Sequence, residues 1–253
     1  MKRVIFLLLI GGVLLAVSCN TQKTLNDVQV QIPFEENVPY SFEHLTNPAV
    51  WITFNTTAEM KEACQLPDVW LKNMTTENLI ITCMNYPLLL NYGVYKNNMD
   101  GVKAVVKGFN GFQELSRRAD AAEKMIEFYK NLQLQDSSEA LQDKAFRKHN
   151  SIFKIGFLEL YFATGYIPGL FEGNICEILK ESAESKLEEK LQNGNIYSLN
   201  AINSSLVVNS AVKINEGNHN FSQVEMDELN EFMNNGGSMS PEKLSNVSKI
   251  LFK

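Results

Sequence analysis

The feature that most constrains this chain is its helix punctuation. At five places a short polar residue stands three positions ahead of a glutamate and an apolar stretch follows: Thr56/Glu59, Asp120/Glu123, Asp136/Glu139, Asn174/Glu177 and Ser222/Glu225. In such a capping box the first side chain accepts a free backbone N–H of the first turn, and the glutamate reaches back to the cap. Phe221 and Met226 fit a hydrophobic staple around Ser222. Ser240-Pro241 places a cap before a proline at the first helical position, where its missing N–H costs nothing. The apolar periods agree. Met125, Phe128, Tyr129 and Leu132 form one stripe; Ile175, Ile178, Leu179, Ala183, Leu187 and Leu191 form a second; Met226, Leu229, Phe232 and Met233 form a third. These are the i, i+3, i+4 spacings of helices that bury one face. Asn234-Asn235-Gly236-Gly237 supplies a stop, because Gly and Asn accept the left-handed backbone that ends a helix.

Two segments, Leu79 to Met84 and Ile152 to Phe162, are apolar nearly all round. A helix that is hydrophobic on every side sits centrally, so both are expected to be core helices. Val50-Trp51-Ile52-Thr53-Phe54 is β-branched and aromatic and reads as a strand, or as an extended segment docked on the domain. Ser198 to Ile214 suits both periods, with a helix as the expectation. The helix starts lie about 15 to 25 residues apart, which suits short connections. The fold class expected is therefore all-α: an irregular helical bundle or α–α array of about eight to ten helices over residues 49–253. Cys64-Gln65-Leu66-Pro67 and Cys83-Met84-Asn85-Tyr86-Pro87 echo each other, over too short a span to mark a repeat family.

The N-terminus has a different grammar. Lys2 and Arg3 precede an apolar run from Val4 to Val17. The run falls short of the roughly 20 apolar residues that span a bilayer, and a basic start before a short apolar region reads as a secretion signal. Ala16-Val17-Ser18-Cys19 resembles the lipobox of bacterial lipoproteins. That resemblance implies cleavage after residue 18 and a lipidated Cys19, anchored stably because it carries more than one acyl chain. Asn20, rather than Asp, follows the Cys and is similar to the pattern of lipoproteins sent to the outer membrane. Thr21 to Asn26 lacks the acidic cluster that resembles a surface-export signal, which favours the periplasmic leaflet. Asn20 to about Phe42 is polar without a strong period. The expected organisation is a signal peptide over 1–18, a lipidated flexible tether over 19–48 and a helical domain over 49–253.

Without Lys2 and Arg3 the chain carries 21 basic and 29 acidic residues, a net charge of −8. No basic stripe is visible, so a nucleic-acid partner is not expected. Three cysteines follow Cys19, namely Cys64, Cys83 and Cys176. An exported protein can hold disulfides, and Cys64 with Cys83 is one pairing; three buried thiols acting as small hydrophobes is the other reading. No CxxC or Cys/His spacing suggests zinc, and no cofactor is expected.

Thr75-Thr76-Glu77-Asn78-Leu79 through Tyr86-Pro87, then Gly108-Phe109-Asn110-Gly111-Phe112-Gln113-Glu114-Leu115 and Arg118-Ala119-Asp120-Ala121, are similar to a helical segment of uncharacterised exported proteins of the Bacteroidota. The resemblance covers about a third of the chain, roughly Trp51 to Leu132. It implies an exported helical protein and brings no activity with it.

The chain holds three histidines, His44, His149 and His219, and none falls in a ligand pair. His149 follows Arg147 and Lys148 on an expected solvated face. A nucleophile pair of Cys176 with His149 would need contact and a depressed thiol pKa. There is no GxSxG elbow, P-loop or dinucleotide turn; Gly108-Phe109-Asn110-Gly111 reads as a helix–helix turn. Glu184, Glu188 and Glu189 alternate with Lys180, Lys186 and Lys190, as on a solvated helix face. Trp51, Trp70, Tyr86, Tyr92, Tyr95, Phe109 and Phe112 concentrate in the first half of the domain. Aromatics facing a groove can stack on a sugar or grip a peptide. Trp70, Tyr92 and Phe109 are the expected groove residues, with core packing as the alternative. The functional expectation is a non-enzymatic lipoprotein, tied to the membrane by its anchor, that binds an envelope protein, peptide or glycan. The alternatives are an envelope hydrolase of peptide or glycan with an unfamiliar site, and a structural spacer.

Overall fold

The computed structural model describes residues 32–132, 141–194, 197–217 and 220–253, with side chains of 141–151 excepted. Cys19, the first part of the expected tether, the Asp136/Glu139 cap, the His149 side chain and His219 lie outside the described residues. The fold is an all-α array. In chain order its helices are α1 (Glu43–Thr46), α2 (Pro48–Trp51), α3 (Thr57–Ala63), α4 (Asp68–Asn73), α5 (Thr76–Met84), a 3-10 helix (Leu89–Val94), α6 (Asn98–Gly108), α7 (Asn110–Leu115), α8 (Ala121–Asn131), α9 (Leu141–Phe162), α10 (Gly173–Gln192), α11 (Leu199–Asn215), α12 (Gln223–Asn234) and α13 (Pro241–Leu251). The described residues form 14 helical segments, more than the eight to ten expected, because the first third is broken into short pieces.

The caps explain most of the boundaries. Thr56, Ser222 and Ser240 each accept the expected backbone N–H, and Ser222 with Glu225 closes the full reciprocal box. Thr75, Asn97 and Ser198 do the same for α5, α6 and α11, where no glutamate marks the third position. Two expected boxes are absent. Asp120 caps nothing with its side chain; it accepts instead from the Thr76 hydroxyl at 2.8 Å. Asn174 lies inside α10, whose cap position is Glu172. The stop after α12 is as expected: Gly236 and Gly237 have φ of 59° and 82°. A side chain there would also press on Met99 and Asn203, so only glycine lets α12 end against its neighbours.

The expected strand over Val50–Phe54 is not formed. Asn47 accepts from the Ala49 N–H at 2.9 Å and Pro48 sits at the first helical position, so the local start signal outweighs a β propensity spread over five residues. The described part of the segment expected to be a flexible tether, residues 32–48, is packed on the domain instead. Tyr40, Phe42 and Leu45 are buried in the core, the Tyr40 N–H donates to Thr82 Oγ1 at 3.0 Å, and Trp70 Nε1 donates to the Ile32 carbonyl at 3.1 Å. This arm packs through scattered aromatics, which leave no period to read.

The core follows from the two all-round apolar segments. Residues 155–162 of α9 are buried without exception, with α6 on one side and α11 on the other. Five of the last six residues of α5 are buried as well, between α7 and α8. The ambiguous segment Ser198 to Ile214 is helical in α11, and its whole central stretch from Ser204 to Val212 is buried. The three cysteines are free and buried; burial pushes the Cys64 thiol up to about 12 and holds the Cys83 thiol well above its ordinary value. No disulfide joins them.

The residues that carry the resemblance form a clamp. The Arg118 guanidinium donates to the Leu71 and Met74 carbonyls at 2.8 and 2.6 Å, closing the end of α4. The Gln65-Leu66 segment and Asn110 at the start of α7 exchange bonds: Asn110 N donates to Gln65 Oε1 at 3.0 Å, and Leu66 N donates to Asn110 Oδ1 at 2.9 Å. The turn at Gly108–Gly111 is thus a helix–helix joint whose Asn110 N–H is already used.

Candidate functional site

The three aromatics expected to line a groove are all buried. Trp70 sits beneath the N-terminal arm, edge-on to Phe34 and Tyr40 with centroids 5.2 and 5.1 Å away. Tyr92 donates its hydroxyl to the Phe153 carbonyl at 3.1 Å. Phe109 stacks on Tyr86 at 4.2 Å and 13°. Each ring has more partners within the fold than a groove would offer it, and none is available to a ligand.

The chemistry-bearing residues converge elsewhere, and Lys190, expected on a solvated face of α10, is among them. Lys190 of α10 is 1% exposed and Glu159 of α9 is 0%. Glu159 Oε1 accepts from Lys190 Nζ at 2.8 Å, the Tyr129 hydroxyl at 2.8 Å and the Ser205 hydroxyl at 2.6 Å. Oε2 accepts from Lys190 Nζ at 2.6 Å and Ser204 Oγ at 2.5 Å. Lys190 also donates to the Ala201 carbonyl at 2.6 Å. The cluster thereby joins α8, α9, α10 and α11. Beside it, Lys186 is buried too, donating to the Leu132 carbonyl at 3.0 Å and to Glu189 at 3.1 Å; Tyr197 donates to the other Glu189 oxygen at 3.0 Å.

Burial lowers the Lys190 pKa, and the Glu159 charge opposes that fall. Burial, then the Glu159 charge, raises the Tyr129 phenol well above its ordinary value. A glutamate, lysine, tyrosine and two serines within hydrogen-bond reach are the parts of an acid–base site. Here they are saturated. An ammonium has three protons, and all three are taken; the carboxylate accepts five bonds from within the protein. The cluster can hold four helices in register, and a substrate would have to displace a bond to enter it.

The signal for this cluster was present. On α10 the buried face runs through Cys176, Leu179, Ala183, Leu187 and Lys190, so Lys190 falls on the apolar stripe and Leu191, placed on it by the sequence, is 57% exposed. Glu159 is the one acid in an otherwise apolar central stretch. A charge on a buried face requires a partner, and these two are each other's.

Two of the open grooves among the described residues lie beside the core, and neither is lined by the cluster. The first, of about 340 Å³, lies among α3, the 3-10 helix and α6, with Tyr86, Leu88 and Val105 as floor and Lys61, Val94 and Tyr95 on its rim. Gly101 lets α6 lie directly against the Tyr92 carbonyl, where any side chain would collide, so the groove stands on closely joined elements. Val94 is 80% and Tyr95 42% exposed. The second, of about 710 Å³, lies between α10, α11 and the end of α13.

Cys176 is free, and burial raises its thiol pKa, the reverse of the depression that activates a nucleophile. Among the described residues no group of three or more His, Cys, Asp or Glu side chains is arranged to hold a metal, and no helix is long and apolar enough to cross a membrane. Comparison with known proteins finds no matching family model, no similar curated protein and no matching solved structure.

Proposed function

We propose that this is a lipid-anchored cell-envelope protein, held at the periplasmic leaflet of the outer membrane through Cys19, that binds an apolar peptide segment of a partner protein in the groove beside Tyr95. The observation that carries the binding reading is that groove itself. It exposes Val94 and Tyr95 on a floor fixed by the Tyr86–Phe109 stack, and rigid aromatic contact area binds with little loss of conformational entropy. The signal and lipobox resemblance support the anchor. A binding role is favoured over hydrolysis because the acid–base residues that cluster are spent on one another inside the core.

The test has two arms. Labelled palmitate fed to an expressing bacterium enters the wild-type chain and not Cys19→Ala; label in both would overturn the anchor. A photo-reactive aromatic replacing Tyr95 crosslinks in the envelope to one saturable protein species, and Val94→Asp abolishes the adduct. A crosslink that survives Val94→Asp, or no saturable adduct, would overturn the peptide-binding reading.

A further inference from the structure

The face of α10 turned away from the buried cluster carries Glu181, Glu184 and Glu188, all exposed. Their i, i+3, i+7 spacing stacks them along one side of the helix, over about 10 Å at 1.5 Å rise per residue. Among the described residues the ion pairs of α10 are Lys180–Glu216, Lys186–Glu189 and Lys190–Glu159, so these three carboxylates have no bound cation. They wall the 710 Å³ groove whose other side is the end of α13. At its edges Leu191 and Phe252 are 57% and 62% exposed. Lys253 also lines the groove, but its ammonium is bound to Glu225, which leaves Lys213 facing three acids.

We propose that this groove binds a cationic amphipathic helix of a partner protein. The apolar face of that helix covers Leu191 and Phe252, and its Lys or Arg side chains, one turn apart, reach Glu181, Glu184 and Glu188. Charge complementarity selects this occupant: the carboxylates repel anionic lipid headgroups and nucleic-acid phosphates, whereas a basic segment is both steered in and held in register. The site is distinct from the groove beside Tyr95 and does not depend on it.

The probe is a fluorescent Leu/Lys peptide of helical period, titrated against the full chain in non-ionic detergent and read by anisotropy. The expected result is saturable one-to-one binding that weakens about tenfold or more in Glu184→Lys/Glu188→Lys and stays within about twofold in the equally charged control Glu62→Lys/Asp100→Lys. Leu191→Ser weakens it with the charges intact, and a scrambled Leu/Lys peptide binds about tenfold less tightly. All substituted positions are exposed, and circular dichroism verifies that each variant is folded. Equal weakening in the two charge-reversal variants, equal binding of the scrambled peptide, no effect of Leu191→Ser, or no saturable binding would each overturn the proposal.

Discussion

The two halves of the core are held together by opposite means. From Tyr40 to Phe112 the buried centre is aromatic and aliphatic, with polar bonds at the loops around it: Tyr40, Phe42, Trp70, Tyr86 and Phe109 run edge-to-face, tilted or stacked, with centroids 4.2 to 6.3 Å apart. Where α8 to α11 meet, the centre is an ion pair with two serines and a tyrosine. Apolar packing is graded, since each methylene removed costs its transfer energy and the cavity it leaves. A saturated polar cluster behaves differently, because deleting one member strands a charge that the others were arranged to hold. The aromatic half should therefore tolerate substitutions of similar volume, while the polar half should tolerate hardly any single change.

The largest expected effect breaks the polar half. Lys190→Met leaves the Glu159 carboxylate buried without its cation and should lower stability by about 3–5 kcal/mol, measured by urea unfolding. In the aromatic half Leu79, fully buried in α5, gives the contrast: Leu79→Ala should cost about 2–5 kcal/mol, but Leu79→Met less than about 1.5 kcal/mol. If Leu79→Met were as damaging as Lys190→Met, the distinction between the halves would fail. The smallest effect lies outside both. Hydrogen bonds from Lys253 and Ser222 hold the Glu225 carboxyl down to about 2 from its ordinary 4.5. A depressed acid stabilises the fold above its unfolded pKa and loses that contribution as pH falls through the folded one. The Tm gap between wild type and Glu225→Gln should therefore be constant above about pH 5 and close as pH falls toward about 2. Salt should narrow it, since Lys253 is exposed and Glu225 only half-buried.

The same contrast explains what the sequence made legible. Helix existence was readable where a cap preceded a 3.6-residue stripe, as at Ser222 ahead of Met226, Leu229 and Phe232, or a proline at the first helical position, as at Ser240, because these signals are local. The arm from residue 32 to 46 was not, since Tyr40 and Phe42 pack by long-range contact with no period of their own. Trp70, Tyr92 and Phe109 were misplaced for a related reason: composition shows that aromatics are abundant but not which way they face. Lys186 and Lys190 were hidden by their glutamate neighbours, although the stripe through Leu179, Ala183 and Leu187 continues onto Lys190. Tyr95 and Val94 mark the first groove only because the 3-10 helix turns them outward, which no sequence period encodes.

Glu159 and Lys190 act as one unit that locks α8 to α11. A double-mutant cycle on Glu159→Gln, Lys190→Met and their combination, read by urea unfolding, tests it most directly. The predicted result is strong coupling: each single substitution is severely destabilising, and the double costs less than either, because no unpaired charge then remains in the core. Additive losses would contradict it, showing that the two side chains contribute independently and that the cluster is not what holds the four helices together.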